Sequence, residues 1–395
     1  MQQRYVALIL STIIWFTHVF ISNALSVLLP LIVKEFSLSY SDAGILATAS
    51  LVVFAIMQLP SGYLVNRIGS KKILVFGMFF NSVSTILVAL SAGYAQFFIF
   101  NMMRSIGSGC HLTVATAFVS NFFEAQDRGK AIGTHESAVS LGGLASPIVT
   151  LPLALAFSWR TTYLFYGVAG LVVAATSWLF LPSAEIRGTP DLSKQEPRRG
   201  FTAKVSMLLV IMTIHAFVYH ALSAFLPLYL SVEKEVTLLY LGYYVAIPNL
   251  VGLFGRPIGG YMSDKIGRSR MTWISLGFFA FGIAFTSFVR GGYWLVPALI
   301  TLGFGQHSVI PVLFAMLMDV LPPQKRALVA GRVNAVRHLI AAFGPTVVGA
   351  IIDTAGFLIA FLVLSLAVAS NFSVTLKMRR EKFFTDTDQG SLPAG

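Results

Sequence analysis

Polar residues punctuate this chain at intervals, and between them run apolar stretches of about 20 residues or more, the length that crosses a bilayer as a helix. Twelve such stretches are legible: 5–32, 41–65, 73–92, 95–121, 130–157, 161–181, 204–230, 237–262, 271–289, 292–319, 327–352 and 355–376. In lipid a backbone must satisfy its own hydrogen bonds, so each is read as an α-helix. The first stretch is far longer than the apolar core of a secretory signal and is followed by eleven more, so it is read as a retained span. The expected fold is an all-α integral membrane protein of twelve transmembrane helices.

Composition agrees with the pattern: 56% of the 395 residues are hydrophobic and only 11% are charged, too few to solvate a soluble domain of this size. A single cysteine, Cys110, excludes an internal disulfide and a cysteine-based metal cluster. The net charge of +12 reflects topology rather than nucleic-acid binding. Lys and Arg concentrate at the termini and in every second loop, at Arg4, Arg67, Lys71, Lys72, Arg128, Lys130, Lys265, Arg268, Arg270 and Arg326 among others. Lys34, Arg160, Lys234 and Arg290 alone fall in the alternate loops. The positive-inside rule therefore puts both termini in the cytoplasm, for a multi-pass protein of an inner or plasma membrane.

The chain also repeats itself. SGYLVNRIGSKK from Ser61 returns as GGYMSDKIGRSR from Gly259, and the same offset of 198 residues links Gly44 to Gly242, Gly69 to Gly267, Arg128 to Arg326, Gly133 to Gly331 and Pro147 to Pro345. GSGCH at 107–111 matches GFGQH at 303–307 at an offset of 196. Two pseudo-symmetric six-helix bundles follow: 1–182 and 204–380, joined by a polar cytoplasmic linker at 183–203 and followed by a cytoplasmic tail at 381–395. Parallel repeats of this kind are the architecture of alternating-access transporters.

The duplicated turn carries a resemblance. Gly62, Asn66, Arg67 and Gly69, with Lys71 and Lys72, resemble the loop 2-3 signature of the major facilitator superfamily, and Gly260, Asp264, Gly267 and Arg268 resemble its loop 8-9 copy. Arg104 with Gly107 and Gly109, the Arg128–Gly133 segment and Trp159-Arg160 are further matches. The resemblance implies that these loops are gating elements. Asn66 stands where the family usually has Asp, which implies a weaker lock there or one carried by Asp264.

Charge in a bilayer core is costly, so ionisable residues within the spans are functional candidates. These are Arg104, Arg256, Arg332, Arg337, Glu136 and seven histidines: His18, His111, His135, His215, His220, His307 and His338. By resemblance, spans one, four, seven and ten line the pathway, and His18, His111, His215 and His307 fall one in each, roughly 16 to 24 Å from each span's start at about 1.5 Å per residue. Arg256 opens an Arg-Pro stretch that resembles that of the monocarboxylate and oxalate-type carriers, where the arginine engages the substrate carboxylate. Arg337 is a second clamp by the same resemblance. A guanidinium fork matches a carboxylate bidentately, so Arg256, Arg337 and Arg104, with His18, His215 and His307, form the expected substrate site. Glu136 and His111, at similar depth, are the expected proton-carrying pair.

Arg104, Arg256 and Arg337 against Glu136 leave an excess of positive charge that an anion relieves. The expectation is secondary active transport of a small organic anion, a carboxylate, coupled to protons or to exchange, by a monomer without metal or cofactor. Efflux of amphipathic drugs is the alternative, with 33 Phe and 12 Met as its adaptable wall. A membrane-embedded enzyme is disfavoured because no Gly-x-Ser-x-Gly, Walker loop or HExxH is present; a transporter-like sensor without flux stays open.

Overall fold

The computed structural model describes residues 2–183, 201–322 and 326–380; most of the linker expected at 183–203, and the tail at 381–395, lie outside them. The described residues are helical throughout, with no strand. The helices are α1 (Gln2–Phe36), α2 (Tyr40–Ile68), α3 (Ser70–Ala89), α4 (Tyr94–Gly109), α5 (Leu112–Phe122), α6 (Ala125–Ala156) and α7 (Trp159–Phe180), then α8 (Ala203–Val232), α9 (Leu238–Ile266), α10 (Arg268–Phe288), α11 (Leu295–Asp319), α12 (Arg326–Ala341) and α13 (Gly344–Arg380). Among the described residues ten helical segments are long and apolar enough to cross a membrane. The difference from twelve has two local causes. The fourth stretch is divided into α4 and α5 by a break at Cys110-His111. The last two share one 50-residue segment, Val329–Met378, which as a straight helix would measure about 75 Å against a hydrocarbon core of about 30 Å. Gly356, at φ 81° and ψ 169°, interrupts it and divides two crossings.

The chain forms two compact units, Met1–Pro197 with Thr237–Ala246, and Arg198–Val236 with Ile247–Gly395. Within the first, α3 packs on α4 and α7, and α1 on α6; within the second, α10 packs on α11 and α13, and α8 on α13 and α12.

Each unit contains the same hinge. Gly69 alone separates α2 from α3 at φ 86°, ψ 151°, and Gly267 alone separates α9 from α10 at φ 94°, ψ 143°. An L side chain is strained at such a φ, which is why the repeated turn keeps a glycine there. The helix crossings repeat as well. A Cβ added to Gly107 of α4 would lie 2.6 Å from the Asn81 backbone nitrogen of α3, and one added to Gly305 of α11 would lie 2.5 Å from the Phe279 Cα of α10. Gly107 to Gly305 and Asn81 to Phe279 are both 198 residues. The structural repeat therefore pairs Gly107 with Gly305 rather than with Gly303, and the GSGCH and GFGQH match at 196 is a coincidence of letters.

The four basic residues off the positive-inside pattern divide by use. Arg160 pairs with Glu35, which also accepts from the Trp159 indole, and its second nitrogen donates to the Ser91 carbonyl just past α3 (3.1 Å). Lys234 donates to the Ser287 and Val289 carbonyls at the end of α10 (2.8 and 2.6 Å). A helix end leaves carbonyls without intrahelical partners, and each of these cations serves one. Ser91 and Val289 are again 198 residues apart, so the two units close the same helix end with cations taken from different loops.

At the other end, Arg268 pairs with Asp264 (2.5 Å) and Asp319 (3.3 Å) and donates to the Ser263 hydroxyl (2.6 Å). At the repeat offset the first unit has Asn66 for Asp264, Ser70 for Arg268 and Asn121 for Asp319. The charge set is neutralised as a whole there, which removes the cation together with both acids.

Replacing Lys234 by Met should lower stability by about 1–3 kcal/mol, the worth of charge-assisted hydrogen bonds, whereas replacing the exposed Arg290 by Gln should leave the melting temperature unchanged. Thermal unfolding of the detergent-purified variants checks the difference; equal melting temperatures for both variants would show that the Lys234 contacts carry no stability.

Candidate functional site

The polar interior of the first unit is a layer between two apolar clusters. One gathers Ala7 and Ile14 of α1 with Met78, Cys110 and Phe118; the other gathers Ile21, Leu25 and Leu28 of α1 with Phe97 and Tyr163. Trp15 and His18 fall on the stretch of α1 between them. The break between α4 and α5 brings His111 to the same layer. Its ring lies nearly parallel to Trp15 (centroids 5.0 Å apart, 8° between planes) and to His135 of α6 (5.4 Å, 21°), and 5.4 Å from His18. All three histidines are buried, and among the described residues none of their six ring nitrogens has a hydrogen-bond partner.

Arg104, seven residues before His111 on α4, is 2% exposed. It reaches Asn101 Oδ1 (3.2 Å) and the Ser22 hydroxyl on α1 (3.4 Å), and its Nε has no partner. No carboxylate pairs with it among the described residues. Its own carbonyl is tied by the Asn81 amide of α3 (3.0 Å), so the helix that presents the cation is fixed where Gly107 brings α3 and α4 together.

The second unit assembles a different set. His215 of α8 meets the Gln306 carbonyl of α11 (Nε2 to O, 2.8 Å); a carbonyl only accepts, so Nε2 carries the proton. Arg256 of α9 lies 3.5 Å from His307 Nδ1, and Arg337 of α12 donates to His338 Nε2 (2.9 Å) while its guanidinium faces the Phe314 ring at 5.4 Å. Arg337 is 7% exposed, its Nε has no partner, and no carboxylate pairs with it among the described residues. Tyr219 is the hub, with its ring against His215 (6.5 Å), His307 (6.2 Å) and His220 (5.4 Å), and His220 meets His338 at 5.8 Å.

Of the residues singled out in the sequence, the first unit joins His18 and His111, and the second joins Arg256 with His307 and sets His215 against the residue preceding it. Glu136 is half-buried on α6, beside His135, whose ring is the one against His111. Arg332 is half-buried a turn from Arg337. Among gating candidates, Asp264 and Arg268 are joined as above, and Arg67 donates to the Tyr63 hydroxyl (2.6 Å). Sequence reasoning gave no role to Trp15, His135, Tyr219, Gln306, His220 or His338. The i, i+3 spacing of Trp15 and His18, and the i, i+4 spacing of His215 and Tyr219, were the signals available. Among the described residues no group of three or more His, Cys, Asp or Glu is arranged to hold a metal ion.

The histidine on α11 owes its place to a size exchange between the units. In the first, Gly109 of α4 meets Phe54 of α2, an added Cβ coming 2.7 Å from the Phe54 carbonyl oxygen; in the second, the positions 198 residues on are His307 and Gly252, and a Cβ on Gly252 would come 2.5 Å from His307 Cδ2. The small residue has moved to the facing helix, which makes room for a ring.

An all-helical fold of ten long apolar segments, a duplicated glycine hinge and buried guanidinium groups define a polytopic membrane carrier. The sequence description of the Major Facilitator Superfamily matches residues 10–345 and 208–389, and the chain belongs to that family. It is similar to the hexuronate transporter of Bacillus subtilis (strain 168), 26% identical over 378 residues and covering 89% of each chain. It is also similar to the probable L-galactonate transporter of Escherichia coli (strain K12), 26% identical over 361 residues, covering 84% of this chain and 79% of the other. Among solved structures, a bacterial homologue of the human lysosomal transporter Spinster superposes with a TM-score of 0.84 at 18% identity over 100% of both chains, a likeness of fold. The family is one of transporters, and the chain is a carrier rather than an enzyme.

Replacing Gly252 by Ala should displace the His307 ring and cost about 1–3 kcal/mol, the usual penalty of overpacking. A double replacement, Gly252→Ala with His307→Ala, should restore the melting temperature lost in the single variant, because the two residues compete for one volume. Additive losses in the thermal melts would separate them.

Proposed function

We propose that this chain is a secondary transporter of small organic anions, carboxylates of the sugar-acid class, working by alternating access. The observation that carries the reading is the pair of buried guanidinium groups, Arg104 and Arg337, that face polar or aromatic neighbours and no carboxylate. Burying an uncompensated cation is strongly unfavourable, and a substrate carboxylate is the counter-charge that relieves it. The likeness to relatives named for hexuronate and L-galactonate, over most of both chains, supports the same class.

In the first unit Arg104 supplies an anion contact and His18 a ring nitrogen for a hydroxyl; in the second, Arg256 and Arg337 supply anion contacts and His215 and His307 ring nitrogens. Transport is coupled to protons through the region of His111 and Glu136. The loops at Gly62–Gly69 and Gly260–Arg268 gate it, with the Asp264–Arg268–Asp319 charge set giving the second loop a lock that the first lacks. The carrier works as a monomer of two bundles, 1–182 and 204–380, in an inner or plasma membrane with both termini cytoplasmic.

D-Glucuronate should raise the melting temperature of the purified protein, and D-glucose at the same concentration should not, since a ligand stabilises only the state that binds it. Arg337→Gln should weaken the D-glucuronate effect at least tenfold in apparent Kd, about 1.4 kcal/mol, and Arg337→Lys should recover only part of it, because an ammonium cannot grip a carboxylate bidentately. Stabilisation by neutral sugars alone would overturn the anion reading.

A further inference from the structure

The histidines of the first unit do more than line a wall. Three imidazoles, on three different elements, are drawn into one layer around Trp15, and each is 1% exposed or less. Buried polar groups are normally hydrogen-bonded; among the described residues these six ring nitrogens have no partner, and since each neutral imidazole keeps one nitrogen unprotonated, the layer offers three proton-accepting nitrogens. Their mutual spacing, 5.4 Å from His111 to each of the other two, lets a proton on one ring oppose a proton on either neighbour by direct repulsion. The cluster is therefore built to hold one proton rather than three.

The charges around the layer decide when that proton is tolerated. From α1 come His18 and the indole of Trp15; from α4, Arg104; from the break, His111; from α6, His135 and the half-buried Glu136; from α7, the hydroxyls of Tyr163 and Tyr166, the latter hydrogen-bonded to Thr150 (2.8 Å). α2 and α3 carry their ionisable residues only near their ends, at Tyr40, Asp42, Tyr63, Arg67, Lys71 and Lys72. Arg104 is the fixed cation of the set, and through its contact with Ser22 it reaches α1 one turn from His18. A proton on the imidazoles adds a second positive charge beside it, and a like charge disfavours the protonated form. An anion on Arg104 cancels that opposition.

We propose that His18, His111 and His135 form the proton-binding site of the carrier, with His111 the central acceptor, and that an anion on Arg104 licenses its protonation. The proton is added to a ring nitrogen of His111 and released from it unchanged, and no other bond forms or breaks. Coupling is then electrostatic and reciprocal: the anion favours the proton as much as the proton favours the anion, which is co-transport in one direction. The proposal rests on the anion reading above and assigns the proton to imidazoles rather than to Glu136.

Trp15 gives a readout that needs no transport, because an imidazolium against an indole quenches its emission. The Trp15 component is isolated as the difference between wild-type protein and Trp15→Phe, titrated from pH 8.5 to 4.5 with and without D-glucuronate, whose binding at pH 7 is established separately by thermal shift. The expected result is quenching as pH falls, a midpoint raised by about one pH unit when D-glucuronate is bound, a tenfold coupling, and no quenching in His111→Gln. His135→Gln, the second variant if His111→Gln does not fold, should move the midpoint without abolishing the quench. A Trp15 component that stays flat in both conditions overturns the proton site, as does quenching that survives in His111→Gln or vanishes in Glu136→Gln alone. A midpoint unmoved by bound D-glucuronate overturns the coupling. Absence of D-glucuronate binding with the quench intact counts against the anion reading and leaves the proton site standing.

Discussion

A guanidinium held inside a helical bundle has to find its counter-charge somewhere, and neither Arg104 nor Arg337 has a carboxylate beside it among the described residues. Structural arginines elsewhere in the same chain behave differently: Arg160 takes Glu35, and Arg268 takes Asp264 and Asp319. The contrast matters because buried charge is stable in hydrocarbon only when it is paired. The two structural arginines have an acid within reach, and at two interior positions an arginine has none among the described residues. Those two positions are held instead by neutral groups, Asn101 and Ser22 around one and His338 and Phe314 around the other, which orient the fork without neutralising it.

The rest of the architecture serves that placement. Helices can carry such groups at depth only if they pack closely enough to exclude lipid, and Gly107 and Gly305 allow contact between backbones where a Cβ would collide. Two of the four cations in the otherwise cation-poor loops, Arg160 and Lys234, are used to cap helix ends. The neutral set Asn66, Ser70 and Asn121 at the positions of the charged set Asp264, Arg268 and Asp319 leaves the two repeated turns unequal in charge, although their glycines adopt the same conformation.

Much of this was legible from the residues. The apolar blocks defined the spans, the 198-residue offset defined the duplication, and the cost of buried charge selected Arg104, Arg256 and Arg337. Two kinds of information were missing. Helix breaks at Cys110-His111 and Gly356 depend on how neighbouring helices crowd the chain, and a hydropathy pattern has no record of that. Partners across helices were also hidden: the sequence set His111 beside Glu136 by depth, and depth says nothing about azimuth, which in the fold turns the ring of His135 onto His111. The GSGCH and GFGQH match failed for a related reason. Letter identity favoured an offset of 196, whereas packing is conserved by volume, and volume had been exchanged between facing helices.

That exchange explains how one duplicated unit came to hold two different polar layers. The close approach of α2 to α4 and that of α9 to α11 each rest on a glycine, Gly109 against the Phe54 backbone in one and Gly252 against the His307 ring in the other. In the first unit the glycine on α4 admits the Phe54 backbone of α2, and in the second the glycine on α9 leaves room for the His307 imidazole of α11. In the first unit His111, at the helix break two residues beyond the glycine, gathers with His18 and His135 around Trp15. In the second, His307 stands beside Arg256 at 3.5 Å. Moving the glycine to the facing helix therefore accompanies two different interiors, imidazoles near the single cation Arg104 in one unit and imidazoles mixed with guanidinium groups in the other.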